Sequence, residues 1–338
     1  MKKQRLNILL LVIASFIVLY FVLKDDFENV VNLISNINFG WFLFSVLIVL
    51  IYWLFQALSL SAVLKSGKNK LPFWILYKSM IMCNFFSAIT PSATGGQPFQ
   101  IYYLKKNGLR LGTASNLVIE QSTLYQIALV LMGLVAIVLN YFFDFFPSNS
   151  ILKKLVLVGF TINVIVIFLL IFITINKKLS RYIILKIVKF LNRIKIIRDV
   201  DKMKLKVERF IENFYTSAKS LNSNKKALLK GIIFNFIALT LLYIVPLPVA
   251  YSLGDYTSLN VITTLVASAY VMLIGVFVPI PGGSGGVEYA FVSFFGFYLT
   301  GSHLMALLLI WRFITYYFSI LIGGLVLIFN KGGAKKCE

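Results

Sequence analysis

Two short segments of this sequence share the pattern Pro-x-x-(Thr/Ser)-Gly-Gly, at residues 91–96 and 281–286. Proline and glycine interrupt helices, so each phrase breaks an apolar segment. Backbone amides at the start of the helix that follows, reinforced by the helix dipole, are a chemistry suited to phosphate. The residues predicted to frame one headgroup site are Thr90, Pro91, Thr94, Gly95, Gly96 and Gln97, with Pro281, Gly282, Gly283, Ser284, Gly285 and Gly286. Close helix packing through small residues is the alternative interpretation.

Charged side chains inside the apolar stretches are the second group of candidate functional residues. They are Lys78, Glu120, Glu288 and Arg312. Each charge placed in lipid costs at least about 2.5–3.5 kcal/mol, so we expect these side chains to face a cavity or one another. Glu120 lies 24 residues after Gly96 and Arg312 lies 26 after Gly286 (120 − 96 and 312 − 286). That spacing predicts a carboxylate and a phosphate-binding guanidinium at one central site, or else a structural ion pair. Lys78 is expected to snorkel to the cytoplasmic face.

The composition identifies the kind of protein that must position these residues. Hydrophobic residues make up 59% of the chain and charged residues 13%, against about 25% charged in soluble domains. Uncharged stretches of about 20 residues recur, which is the length that crosses a bilayer. We therefore predict an all-α polytopic membrane protein with about six spanning helices plus two broken or re-entrant hairpins.

Cofactor chemistry has little support in the sequence. Cys83, Cys337 and His303 are the only cysteines and histidine, and they form no metal-ligand spacing. No nucleotide-binding fingerprint is present. The net charge of +21 is placed beside the apolar segments, which indicates anionic lipid rather than nucleic acid as the partner. We expect no cofactor, no metal and no catalytic residue.

Basic and acidic loops divide the chain into one membrane domain with an internal repeat. The predicted parts are an anchor helix (1–24), repeat one (41–140), a linking helix (151–175), a basic cytoplasmic insert (176–230) and repeat two (231–330). The bias of basic residues to the cytoplasm places both termini and the loops at Lys68, Lys106, Lys204 and Lys335 inside. Glu28, Ser148 and Asp255 are expected outside. The two hairpins then enter from opposite faces, as in inverted-repeat transporters, although residues 259–278 are long enough to span fully.

The insert holds 16 Lys and Arg residues against four acids. Apolar residues at helical spacing from Ile183 to Ile197 indicate a basic amphipathic helix. Such a helix either lies on anionic lipid of the inner leaflet or packs its apolar face on the rest of the protein.

The stretch from Thr90 to Pro98, together with the stretch from Pro279 to Glu288, resembles the flippase-like membrane domain of the lysylphosphatidylglycerol synthase family. The resemblance covers nearly the whole chain and includes Arg312 in the last helix. It implies a bacterial cell-membrane protein that moves a charged, aminoacylated or glycosylated phospholipid between leaflets. The related multiple peptide resistance factors protect bacteria against cationic antimicrobial peptides. Their full-length forms carry a soluble aminoacyl-transferase domain after the last helix, whereas this sequence stops at Glu338.

Lipid translocation is therefore the leading expectation. One alternative is an enzyme, a phosphatidylglycerol lysyltransferase or another lipid-modifying transferase. Another is an accessory subunit that presents lipid to a separate synthase.

Overall fold

The computed structural model of the protein describes residues 27–66, 70–146, 150–178, 181–182, 185–186, 200–222, 224–275 and 280–329. Within these residues the structure is helical and contains no strand, which confirms the predicted fold class. The predicted anchor helix at 1–24 and the positions Lys68, Ser148 and Lys335 lie outside the described residues. Most of the amphipathic stripe at 183–197 also lies outside them.

The structure has the following α-helices in its described residues. They are α1 (Phe27–Ser35), α2 (Phe39–Ser66), α3 (Phe73–Ala88), α4 (Gly96–Lys106), α5 (Leu111–Phe143), α6 (Ser150–Ile175), α7 (Val200–Asn222), α8 (Lys225–Ile244), α9 (Pro246–Ser252), α10 (Val261–Gly275), α11 (Gly286–Phe295), α12 (Gly301–Arg312) and α13 (Phe318–Phe329). Short 3₁₀ turns at Pro91–Ala93 and Pro281–Gly283 separate α3 from α4 and α10 from α11. A π-helical turn at Phe313–Tyr317 joins α12 to α13.

Five helical stretches in the described part of the chain are long and apolar enough to cross a membrane. They are Phe39–Lys65, Leu111–Phe143, Ile151–Phe172, Lys225–Ser252 and Gly301–Phe329. These correspond to five of the six spans that the sequence predicts. The sixth is the anchor helix at 1–24.

The helices around the two Pro-Gly phrases are shorter. α3 has 16 residues and α10 has 15, so they extend about 24 Å and about 22 Å, less than the hydrocarbon core of about 30 Å. The helices that return from the turns, α4 and α11, have 11 and 10 residues. Each phrase therefore lies at the tip of a broken hairpin. The described part of α10 is shorter than the stretch 259–278, whose length would permit a full span.

Helix packing is reciprocal between the two halves. The first long helices of the halves, α2 and α8, pack against each other more extensively than any other pair. The last helix of the first half, α5, packs on α10, and the last helix of the second half, α13, packs on α3. This exchange is what two repeats related by a pseudo-twofold axis produce, in agreement with the predicted inverted repeat.

A buried polar network joins the long helices. Ser59 Oγ on α2 lies 2.7 Å from Gln121 Oε1 on α5 and 3.0 Å from the carbonyl oxygen of Gly231 on α8. Asn235 Nδ2 donates to Ser59 Oγ at 2.9 Å, and Gln121 Nε2 donates to Asn235 Oδ1 at 3.1 Å. A Cβ at Gly231 would lie 2.6 Å from Leu124, so glycine permits this close approach. Small residues and interhelical hydrogen bonds are the usual means of holding helices together in lipid.

The described part of the basic insert packs on the protein. A Cβ at Gly112 on α5 would lie 2.7 Å from Asn213 on α7, so these two helices are in close contact. Val207 and Ile211 on α7 are buried, and Leu185 packs against them. The described part of the insert therefore packs on the rest of the protein. The amphipathic helix at 183–197 stays a prediction.

Candidate functional site

The two Pro-Gly phrases begin with the same kind of turn, and their backbones diverge at the residue that closes it. ψ is −15° at Thr94 and 137° at Ser284, and φ is −83° at Gly95 and 90° at Gly285. In the first turn (residues 90–96) the amide and the hydroxyl of Thr94 both donate to the carbonyl of Pro91, at 3.2 and 2.9 Å. In the second turn (residues 280–286) the amide and the hydroxyl of Ser284 donate to the carbonyl of Pro281, at 3.4 and 3.1 Å. The shared Pro-x-x-(Thr/Ser) pattern thus has a structural cause, because the hydroxyl closes the turn on the proline carbonyl.

The middle two residues of each turn adopt a left-handed backbone. Their φ angles are 51° at Ser92 and 54° at Ala93, against 67° at Gly282 and 65° at Gly283. Glycine reaches this region without strain, whereas residues with a Cβ do not. At Gly282 a Cβ would also lie 2.3 Å from the ring of Tyr316. The second turn therefore needs glycine for both backbone conformation and space.

The two turns contact each other. Tyr316, in the π-helical turn of the second half, donates its hydroxyl hydrogen to the carbonyl of Ala88 at 3.0 Å. Ala88 is the last residue of α3. The hydrogen bond thus ties the tip of the first hairpin to the last helical stretch of the second half.

A cavity of about 520 Å³ lies beside the meeting point of the turns. Ser92, Ala93, Gly282 and Gly283 contribute to its wall. Hydroxyl and amide side chains from both halves also line it, namely Asn84, Ser87, Gln126, Asn163, Thr315 and Ser319. No charged side chain is among the described residues of this lining. The volume is in the range of small-molecule sites, and its polar contacts are all neutral.

Arg312 anchors the second turn and is not among the described residues that line the cavity. Its Nε and Nη2 lie 2.8 and 2.7 Å from Glu288 Oε1, and Nη2 donates to the carbonyl of Gly282 at 3.0 Å. The other carboxylate oxygen of Glu288 accepts the amide hydrogen of Gly285 at 2.7 Å. The two side chains are only 10% and 14% exposed. Arg312 therefore pairs with Glu288, whereas the spacing argument placed it beside Glu120.

A neutral contact occupies the corresponding place in the first half. Gln97 Nε2 on α4 donates to Ser122 Oγ on α5 at 3.1 Å. Ser122 follows Gly96 by 26 residues, as Arg312 follows Gly286 (122 − 96 and 312 − 286). In each half, a side chain that follows the turn holds the returning helix to the next one.

The amides of Gly95 and Gly285 are committed to the protein itself. The amide of Gly95 donates to Thr90 Oγ1 at 2.8 Å, and Thr90 in turn donates to the carbonyl of Phe86 at 2.6 Å. Glu288 holds the amide of Gly285, as described above. A ligand at the turns therefore meets the cavity lining rather than these two amides.

Glu120 is buried on α5 and is not among the described residues that line the cavity. It lies one helical turn from Asn116, which is fully buried. Within the described part of the chain the Asn116 amide atoms have no hydrogen-bond partner.

The remaining charged residue predicted inside an apolar stretch is Lys78. Its ammonium lies 5.7 Å from the ring centroid of Trp74.

Of the residues predicted from the sequence, Gly282 and Gly283 line the cavity directly. The turns are closed by hydrogen bonds between Thr94 and Pro91 and between Ser284 and Pro281. They are held in place by Thr90 and Gln97 in the first half and by Glu288 and Arg312 in the second. Sequence reasoning missed the neutral lining. One signal was available, because Gln126 and Tyr316 each lie 30 residues after the second glycine of their phrase (126 − 96 and 316 − 286) and both line the cavity.

These features define a helical membrane protein with two broken hairpins that meet beside an open cavity lined by neutral polar and apolar side chains. Residues 7–323 match the family described as "Lysylphosphatidylglycerol synthase TM region". The chain belongs to this family.

Several relatives have similar sequences. A Mycoplasma pneumoniae protein, described as uncharacterized, is 22% identical over 91% of this chain and 82% of its own length. A "UPF0104 membrane protein" of Archaeoglobus fulgidus is 20% identical over 87% of this chain and 88% of its own. An uncharacterized Mycoplasma genitalium protein is 26% identical over 51% of this chain and 45% of its own.

Proposed function

We propose that the protein is a lipid translocase that moves a phospholipid with a charged, aminoacylated or glycosylated headgroup between the leaflets of the bacterial cell membrane. The observation that carries this proposal is the cavity at the meeting point of the two hairpin tips. Irregular backbone at membrane depth is tolerated where it is buried in protein or lines a polar cavity. Paired broken helices around such a cavity are the arrangement that transporters use for their substrates.

The cavity lining suits a headgroup that is rich in hydrogen-bonding atoms. Asn84, Gln126 and Asn163 supply amides, and Thr315 and Ser319 supply hydroxyls. Such groups bind hydroxyl, ammonium and phosphate-ester groups alike, which fits a polar lipid headgroup in transit. Each passage must also release the headgroup, and neutral contacts release it more readily than a buried charge pair would.

The charged residues play a supporting role in this proposal. Arg312 and Glu288 keep the second turn in shape, and the turn in turn forms one wall of the cavity. Loss of Arg312 therefore abolishes transport through the shape of the site rather than through a direct contact with phosphate.

Reconstitution of the pure protein into liposomes with a fluorescent phospholipid tests the proposal. A membrane-impermeant quencher reports how fast labelled lipid from the inner leaflet reaches the outer one. We expect transport by the natural protein, at least a tenfold loss in Asn163→Leu, and normal transport in Thr161→Val. Thr161 is a matched control because it is on the same helix, exposed and outside the described cavity lining. Equal rates in protein-free and protein-containing liposomes would refute translocation.

A lysyltransferase is the competing candidate, favoured by the name of the family. The same purified protein, incubated with lysyl-tRNA and phosphatidylglycerol, separates the two functions. Formation of lysylphosphatidylglycerol without transport would replace the proposal. If neither transport nor lysyl transfer is detected, the result favours a subunit that presents lipid to a separate synthase.

A further inference from the structure

A second concave surface lies away from the hairpin tips, between the end of α2 and the beginning of α8. It encloses about 500 Å³. Three lysines line it, Lys65 from α2 and Lys226 and Lys230 from α8. No carboxylate is among the described residues of its lining. Three ammonium groups in one groove without an acidic partner favour an anion as the occupant.

Apart from the lysines, the groove is lined by the polar residues Ser61 and Asn224 and by apolar side chains. Leu58 and Ala62 on α2, and Phe234 on α8, line the part further from the lysines. Residues four apart share one face of a helix, so Lys226, Lys230 and Phe234 form a single stripe that changes from basic to aromatic. Phe234 also packs against Phe55, with ring centroids 6.0 Å apart, which extends the apolar part toward the middle of α2.

The position of the groove in the fold explains why its lining changes from basic to apolar side chains. Lys65 is in the last turn of α2, and Lys226 is in the first turn of α8. Both helices are long enough to cross the membrane. The lysines therefore lie at a membrane–water boundary, and Leu58 and Phe234 lie deeper in the bilayer. Basic residues at that boundary contact lipid phosphates, and the side predicted for them is the inner leaflet.

We infer that this groove is a binding site for an anionic phospholipid of the inner leaflet, separate from the central cavity. The phosphate contacts Lys65, Lys226 and Lys230, and one acyl chain lies along Leu58, Ala62 and Phe234. A lipid held there joins α2 to α8, the two helices with the most extensive contact among the described residues. It therefore stabilises the interface between the two halves without entering the transport route.

The test uses the purified full-length chain in detergent micelles. Short-chain phosphatidylglycerol is titrated against short-chain phosphatidylcholine, and the Tm is recorded. We expect the anionic lipid to raise the Tm in a saturable manner and the zwitterionic lipid to have little effect. In the triple variant Lys65→Gln/Lys226→Gln/Lys230→Gln, the apparent Kd for phosphatidylglycerol should rise by at least about tenfold, because each lysine contributes attraction to an anionic headgroup.

A matched variant controls for net charge. Lys105, Lys106 and Lys225 are exposed lysines outside the described lining, and their replacement by Gln removes the same charge. This control should keep the natural apparent Kd. An equal loss in both triple variants would show nonspecific attraction and overturn the site.

A third variant and a second anion test the apolar part. Ala62→Trp keeps all three lysines and fills the groove, so it should weaken the binding of phosphatidylglycerol at least about tenfold if an acyl chain occupies this part. Inorganic phosphate at the same concentration should leave the Tm unchanged. Unaltered lipid binding in Ala62→Trp, or an equal Tm increase with inorganic phosphate, would overturn the assignment of a lipid.

Discussion

The first and second turns share a left-handed pair of residues after proline and a hydroxyl that bonds to the proline carbonyl, yet neutral side chains hold the first turn and a buried ion pair holds the second. In the first turn, Thr90 caps the amide of Gly95 and Gln97 bonds to Ser122. In the second, Glu288 caps the amide of Gly285 and is itself held by Arg312. The left-handed positions also differ, being Ser92 and Ala93 in the first turn and two glycines in the second.

This difference indicates that the left-handed pair closed by a hydroxyl is the shared requirement, because two unrelated sets of contacts hold it in place. The difference also shows where charge is used near the cavity. The ion pair of Arg312 and Glu288 anchors the second turn, whereas the described lining of the cavity that both turns border is neutral. Both halves therefore contribute to the wall of the cavity, and they differ in how their turns are anchored.

The largest expected contrast between the two hairpins is the side of the membrane that each one faces. In a protein with Cys83 and Cys337 replaced, Lys106→Cys should react only with reagents that reach the cytoplasm, because α4 returns to a basic loop. Thr300→Cys, which follows the second hairpin, should react with an impermeant reagent added outside intact cells. External labelling at position 106 would contradict the opposite entry of the hairpins.

Removal of the ion pair should damage the second turn more than removal of the neutral contact damages the first. Arg312→Ala leaves Glu288 buried without its partner and should lower the free energy of unfolding by about 3–5 kcal/mol. Ser122→Ala, the matched change in the first half, should cost about 0.5–1.5 kcal/mol. Thermal or denaturant unfolding of both variants in the same detergent measures the contrast, and equal losses would remove the distinction between the two anchors.

The left-handed positions should respond in opposite directions to an exchange of glycine and alanine. Gly282→Ala places a Cβ against Tyr316 in a strained conformation and should destabilise the protein by about 1–3 kcal/mol. Ala93→Gly relieves the strain at the second left-handed position of the first turn, which corresponds to Gly283, and should be neutral or stabilising, by up to about 1 kcal/mol. Unfolding midpoints provide the comparison. A stabilised Gly282→Ala variant would show that the second turn does not need glycine.

The spans and the hairpin tips could be predicted from the sequence because each rests on a local physical rule. Apolar length predicts spans such as α5 and α8, and proline with glycine predicts the breaks at residues 91–96 and 281–286. The repeated (Thr/Ser)-Gly-Gly phrase predicted that the two breaks form one site. The two turns contact each other, and the shared site stays a prediction.

The partner of Arg312 could not be obtained from approximate spacing. Glu120 lies 24 residues after its phrase and Ser122 lies 26 residues after it (120 − 96 and 122 − 96). Two residues rotate a helix by about 200°, so a near match in sequence position points to a different face. The polar lining was also missed, because isolated residues such as Asn84 and Thr315 in apolar helices are recognisable only after the halves are aligned in space.

The central claim is that both halves form a single transport site, and one double-mutant measurement tests it most directly. Gln126→Leu and Tyr316→Phe change lining residues at equivalent positions of the two halves. Transport rates are compared for the natural protein, each single variant and the double variant, in liposomes and with the Tm of each protein recorded. Groups that act on one site are non-additive, whereas distant independent sites add their effects. The proposal predicts at least a tenfold loss in each single variant and a double variant within a few-fold of the slower single one. Normal transport in either single variant, or losses in the double variant that equal the product of the two, would contradict a shared site.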